Sequence, residues 1–189
     1  MNIWILLSLV LSLISPIFYT KSMLEGKAKP HRVTRAVIWL AAVTGIIGIL
    51  GSSNLSGIMF AGIFFVRASY LLVMSIIYGE GGTSKLDKVC FSMGVVAVIS
   101  YVLTGSGLLA VMLGVLADLI AFIPTFVKTW KKPESEDPNF FAIEVVASIC
   151  AIIAIDELRV DTIFPIYFVL SGGFVLLLIY RKKLLAMIA

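Results

Sequence analysis

SPIFYTKSMLEGKAKPHRVTRAVIW, from Ser15 to Trp39, and IPTFVKTWKKPESEDPNFFAIEVVA, from Ile123 to Ala147, are one unit written twice. Pro16 and Pro124 stand 108 residues apart, and so do Pro30 and Pro138. In each copy an apolar segment carries a proline near its end, a charged turn follows, and a second proline opens the next apolar segment. A repeated set of apolar helices is a common plan for membrane transporters, with the site between the copies.

The surrounding chain carries the same message. Hydrophobic residues make up 60% of the 189 residues and charged residues 14%, where a soluble domain carries about 45–50% and about 25%. Mean hydropathy is +1.09. These values predict an all-α, polytopic membrane protein without a separate soluble domain. The opening run MNIWILLSLVLSLISPIFY lacks a basic leader and a small-residue cleavage site, so it reads as a retained first span. Cys90 and Cys150 lie inside apolar runs with no ligand spacing around them and read as packing residues.

A helix needs about 20 apolar residues to cross the hydrocarbon core. Stretches of that kind occur at 3–20, 34–52, 55–78, 88–104, 107–130, 138–156 and 162–180. The 108-residue offset lays span 1 on span 5, 2 on 6 and 3 on 7, with span 4 as a linker. The expected organisation is three plus one plus three: residues 1–78, a linker over 79–106, and 107–189. Of the 15 lysines and arginines, 13 fall in connections on one side or in the tail; only Arg159 falls in an opposite connection, beside Asp156, Glu157 and Asp161. The positive-inside bias then puts the N-terminus outside and the C-terminus in the cytoplasm of a multi-pass protein of the cell membrane. Trp4 and Trp130 sit where an interfacial belt would lie.

Local signals refine the helices. Asp137-Pro138 reads as an N-cap followed by proline at the first helical position, and Pro30 plays the same part for span 2 without a good cap. Pro16 and Pro124 fall inside spans 1 and 5, where each removes a backbone hydrogen bond. They read either as fixed bends or as hinges for the cytoplasmic half. His31 reads as a solvated loop residue.

With the topology and prolines in place, the chain resembles the SWEET/PQ-loop superfamily. The stretch PTFVKTWKKPESE, 124–136, resembles a group of bacterial members. Pro16 and Pro124 occupy the place of the namesake motif, with Ile17 and Thr125 where that motif has glutamine. The resemblance implies seven spans, two parallel three-helix units and transport of a small polar solute by alternating access. It also implies the runner-up, a non-transporting receptor or sensor of the same fold that binds a small ligand or a peptide carboxylate with basic residues.

Charges in mid-bilayer cost roughly 2.5–3.5 kcal/mol on insertion scales, so each asks for a reason. Asp118 lies eleven residues into span 5 and Arg67 twelve into span 3, ~16 and ~18 Å deep. Both break the repeat: Val10 matches Asp118, and Val175 matches Arg67. The sequence leaves three roles open for Asp118: proton or cation acceptor, direct contact to a cationic or zwitterionic substrate, or ion-pair partner of Arg67. Arg67 reads as a clamp, an anion anchor or a snorkelling side chain. Thr125 shares a helical face with Asp118, and Glu144 and Ser148 form an i, i+4 pair in span 6. Trp39 and Tyr70 add aromatic surfaces for stacking. The expected substrate site is therefore Asp118, Arg67, Thr125, Glu144, Ser148, Tyr70 and Trp39, hinged at Pro16 and Pro124. No histidine pair, metal cluster or nucleophile–base spacing is present, so an enzyme, a cofactor and a metal are not expected. The expected partners are the lipid bilayer and a small solute, with no nucleic acid; association into homo-oligomers stays open.

Overall fold

The computed structural model describes residues 2–49, 55–82, 84–105, 107–154 and 162–188. The acidic turn with Asp156, Glu157, Arg159 and Asp161 lies outside them, as do the side chains of Pro124, Cys90, Gly57 and Ala61. Among the described residues the chain is all helical: α1 (Ile3–Leu24), α2 (Arg32–Ile49), α3 (Leu55–Tyr78), α4 (Lys85–Thr104), α5 (Gly107–Lys131), α6 (Pro138–Ile153) and α7 (Ile163–Ile188), with a short 3₁₀ turn at Pro133–Ser135.

Helices outrun their apolar cores where polar residues continue the hydrogen-bond ladder. α1 extends through Thr20-Lys21-Ser22 to Leu24, and α7 runs on past Arg181. Asp137 caps α6 as its sequence predicts, Oδ1 accepting from the Phe140 N–H at 2.9 Å, with Pro138 first in the helix. Pro30 does not open α2 in the same way. The helix starts at Arg32, because Pro30 and His31 are held extended beside the end of α3: Glu80 N–H donates to Pro30 O and Arg32 N–H to Glu80 O, both at 3.0 Å.

The exterior is apolar and the interior partly polar. Leu103, Leu170, Ile17, Val102 and Val66 are all more than 60% exposed, whereas Ser8, Ser15, Thr129, Arg67 and Asp118 are buried. Water does not favour so large a uniform apolar surface. Three helices, Ile3–Leu24, Asp87–Thr104 and Ile163–Leu184, are long and apolar enough to cross a membrane; Gly62–Tyr78 and Pro138–Ile153 are shorter apolar helices. Trp4 and Trp130 are both partly exposed. The protein is thus built for a membrane.

α3 packs on α1 and on α2; α7 packs on α5 and on α6. The copies meet through α1 against α6 and α2 against α5, and α4 packs on both α5 and α2. The core at this junction stacks Tyr19 on Phe140, centroids 4.3 Å apart, with Phe141 edge-on. Cys150 is a buried free thiol, as expected of a packing residue.

The loop end is fastened by polar contacts between the copies. Tyr19 donates to Glu136 Oε2 at 3.0 Å, and Ser22 donates to Asp137. Lys128 Nζ reaches Glu136 at 2.6 Å and Lys29 O at 2.7 Å. His31 is not a solvated loop residue: its side chain is only 12% exposed, and Nε2 lies 3.5 Å from Asp87 Oδ1. Burial holds its pKa below the usual 6.5, against the opposing pull of Asp87.

Two predictions concern this turn. Gly81 has φ +81°, and a Cβ there would fall 2.2 Å from His31 Nε2. Gly81→Ala is expected to cost about 1–3 kcal/mol in SDS-titrated unfolding. Gly62→Ala, with nothing within 4 Å of its new Cβ, should be neutral or stabilising. Because the folded pKa of His31 lies below the unfolded value, its effect on stability is flat above 6.5. As pH falls below that value the unfolded chain binds the proton more readily and stability declines. His31→Gln should flatten that part of the stability–pH curve.

Candidate functional site

Glu144 organises the centre of the molecule. Six residues after Pro138, it lies ~9 Å into α6. Its Oε1 accepts from the Arg67 guanidinium on α3 and from the Ser15 hydroxyl on α1. Arg67 and Glu144 are 9% and 12% exposed, so the pair is largely removed from solvent. The Arg67 guanidinium also lies 5.3 Å from the Phe64 ring centroid. Ser15 itself is fully buried.

Ser15 links the pair to the α1 proline. Pro16 has no N–H, so the Ser12 carbonyl one turn earlier loses its helical donor. The Ser15 hydroxyl lies 3.4 Å from that carbonyl oxygen and much nearer Glu144. A single hydroxyl proton serves one acceptor at a time. The bend at Pro16 and the charge on Glu144 thus share one hydrogen-bond donor.

A cavity of about 30 Å³ opens beside the ion pair. A water molecule needs roughly 10–15 Å³ by this measure, so the space suits about two. Its walls come from α2, α3, α5, α6 and α7: Arg35 and Ile38; Arg67, Ala68 and Leu71; Phe122; Phe140, Phe141 and Glu144; and Phe168, Ser171 and Gly172. At Gly172 a Cβ would stand 3.1 Å from Val145 Cγ2, so glycine there suits the close approach of α7 to α6.

Asp118 does not pair with Arg67. It is 2% exposed on α5, one turn before Phe122, beside the Tyr167 hydroxyl and within the field of Arg35. The Tyr167 hydroxyl neighbours the Asp118 carboxyl and the Ser171 hydroxyl, but none of these oxygens makes a well-aligned hydrogen bond among the described residues. Three buried polar groups so loosely paired are unusual in a folded interior.

The remaining expected residues lie away from the cavity. Thr125 is buried, its carbonyl accepting from Thr129. Ser148 is half-buried one turn beyond Glu144. Trp39 donates from Nε1 to Ser69 Oγ at 3.0 Å and packs on Phe65. Tyr70 is 42% exposed and shares a 2.7 Å hydrogen bond with Thr20, tying α3 to α1. Pro16 is buried inside α1, and α5 runs unbroken past Pro124.

Three residues of the site are additions to the sequence-based set. Arg35 counts among the topology-setting charges, yet lies buried on the cavity wall. Tyr167 and Ser171 form an i, i+4 polar pair in an apolar helix, the signal that marks Glu144 and Ser148 in α6. Comparison with protein-family models, curated proteins and solved structures yields no match to this chain.

The ion pair carries a prediction. Arg67→Met or Glu144→Leu alone leaves a buried charge unpaired and should cost about 3–5 kcal/mol in SDS-titrated unfolding. The double variant should fall short of the summed cost by about 0.5–3 kcal/mol. Strict additivity would show that the two side chains do not depend on each other.

Proposed function

We propose that this protein is a multi-pass membrane transporter that carries a small polar solute by alternating access. The observation that carries this reading is the cavity at the junction of the two copies, walled by helices from both and holding a buried ion pair. A site between repeated units is the arrangement that lets one unit rock against the other around a bound solute. In this reading all seven helices cross the membrane as two parallel three-helix units joined by α4. The N-terminus faces outside, and the C-terminus faces the cytoplasm. The chain is then a SWEET/PQ-loop-type protein of the cell membrane.

The described conformation is closed at the end that this topology places in the cytoplasm. Tyr19–Glu136, Ser22–Asp137 and Lys128–Lys29 hold the loops of the two copies together there. Opening that end requires those contacts to part and α1 to move relative to α6. Pro16 lies between the loop contacts and the outer half of α1, where a helix missing one hydrogen bond bends most readily. The Ser15 hydroxyl can pass from Glu144 to the Ser12 carbonyl as that bend changes, and Glu144 then still accepts from Arg67.

Asp118 is proposed as the group that carries a coupling proton. It is a buried carboxyl with the Tyr167 hydroxyl beside it and no cation within ion-pair distance, so a proton removes a poorly compensated charge. The test is uptake into proteoliposomes of labelled amino acids, organic acids, sugars and nucleosides. At least one is expected to equilibrate across the vesicle, faster at low external pH. Asp118→Asn should slow it by about tenfold or more, the effect of ~1.4 kcal/mol on a barrier, and flatten the pH dependence. Uptake unchanged in rate and pH dependence would remove the proton role. A solute that binds but never crosses would make the protein a receptor.

A further inference from the structure

Charge balance around the cavity singles out one residue. The charged side chains on its wall are Arg35, Arg67 and Glu144, two cations and one anion. Arg67 and Glu144 neutralise each other. Arg35 has no ion-pair partner in contact: it is 8% exposed, no carboxylate among the described residues lies within 4.0 Å of its guanidinium, and the buried Asp118, like Glu136 beyond the Tyr19 hydroxyl, acts on it only from farther away. Instead it lies over two aromatic rings, 4.9 Å from the centroid of Tyr19 and 5.1 Å from that of Phe140. Those faces attract a cation but supply no opposite charge. Arg35 also sits in the first turn of α2, where the helix dipole adds positive potential. A buried cation at a positive helix end is costly unless an anion completes it.

We propose that the cavity is an anion site in which Arg35 anchors the carboxylate of a small organic acid. This names the substrate class of the transport cavity proposed above and rests on that reading for its setting. The planar guanidinium offers paired N–H donors that match the two oxygens of a carboxylate, which a spherical anion cannot use equally well. The apolar wall, with Phe122, Phe140 and Phe168, strengthens that ion pair by excluding water. The space beside Arg35 is small, so the shortest acids bind in the described conformation, and a longer acid binds only as the copies part. Arg67 is not the anchor, because its guanidinium is held by Glu144.

The probes are formate and acetate, titrated into detergent-purified full-length protein and followed by calorimetry, with acetamide and chloride as controls at equal ionic strength. Formate and acetate are expected to bind, acetamide not to bind, and chloride to bind more weakly. Arg35→Gln should weaken acetate binding by at least about tenfold, the change that ~1.4 kcal/mol produces. Arg35→Lys keeps the charge but not the fork; it should retain weakened binding and lose the preference for acetate over chloride. If Arg35→Gln does not fold, the lysine variant decides: an unchanged preference would overturn the proposal. So would chloride binding as tightly as acetate in the wild type, or no binding of either acid. The readouts separate the two claims. Acetate binding without flux into vesicles keeps this site and removes the transporter; flux of some other solute without acetate binding does the reverse.

Discussion

The Glu144 carboxylate is the point on which the interior depends. One of its oxygens takes a guanidinium from α3 and a hydroxyl from α1, while its own helix packs on α1 and α7. Remove that oxygen and two helices, α1 and α3, lose a shared partner on a third at once. A buried ion pair is not a strong source of net stability, because desolvation offsets most of the attraction. Its effect here is positional. Apolar helices of such uniform composition could rotate or slide with little change in buried area, and a single charged contact at mid-height selects one register.

That same uniformity limits what the sequence reveals. The proline repeat is readable at a glance, and so is Asp137 as a cap, because both depend on local backbone chemistry. Helix ends are less so: hydropathy stops at the membrane edge, but α1 and α7 continue for several polar residues. Arg67, Asp118 and Glu144 stand out as costly charges in apolar runs, yet their pairing does not follow. Arg67 and Asp118 have similar expected depths, but α3 packs on α1 and α2 while α5 packs on α2, α4 and α7, and Arg67 meets Glu144 instead. With apolar residues all round a helix, no stripe fixes its rotation. Arg35 is hidden for another reason. Three residues inside α2, it is indistinguishable in sequence from the loop charges that set topology.

The 108-residue spacing of the prolines is not matched by the chemistry around it. Val175, the counterpart of Arg67, is completely buried in the core, and Val10, the counterpart of Asp118, is 44% exposed. Equivalent positions therefore meet different surroundings. α4 accounts for part of this, since it packs on α5 and α2, and so covers one side of the molecule.

The departures from symmetry have a consistent sign. The buried cations Arg35 and Arg67 come from the first copy; the buried anions Asp118, Glu136 and Asp137 and the largely buried Glu144 come from the second, with Asp87 on α4 between them. The loops lean the same way: 25–31 carries Lys27 and Lys29 against Glu25, and 132–137 carries Glu134, Glu136 and Asp137 against Lys132. Arg67 and Glu144 pair along that division, and Tyr19 and Ser22 add neutral donors to Glu136 and Asp137. In low dielectric such attraction is strong but falls quickly once water enters. A junction built this way is firm when closed and costs less to hold open once wet. In the transport reading proposed above, that combination suits two helical units that part on one side while remaining together on the other. It also explains why Arg35 stands out: it is the one cavity cation whose opposite charge is not supplied at contact distance by the other copy.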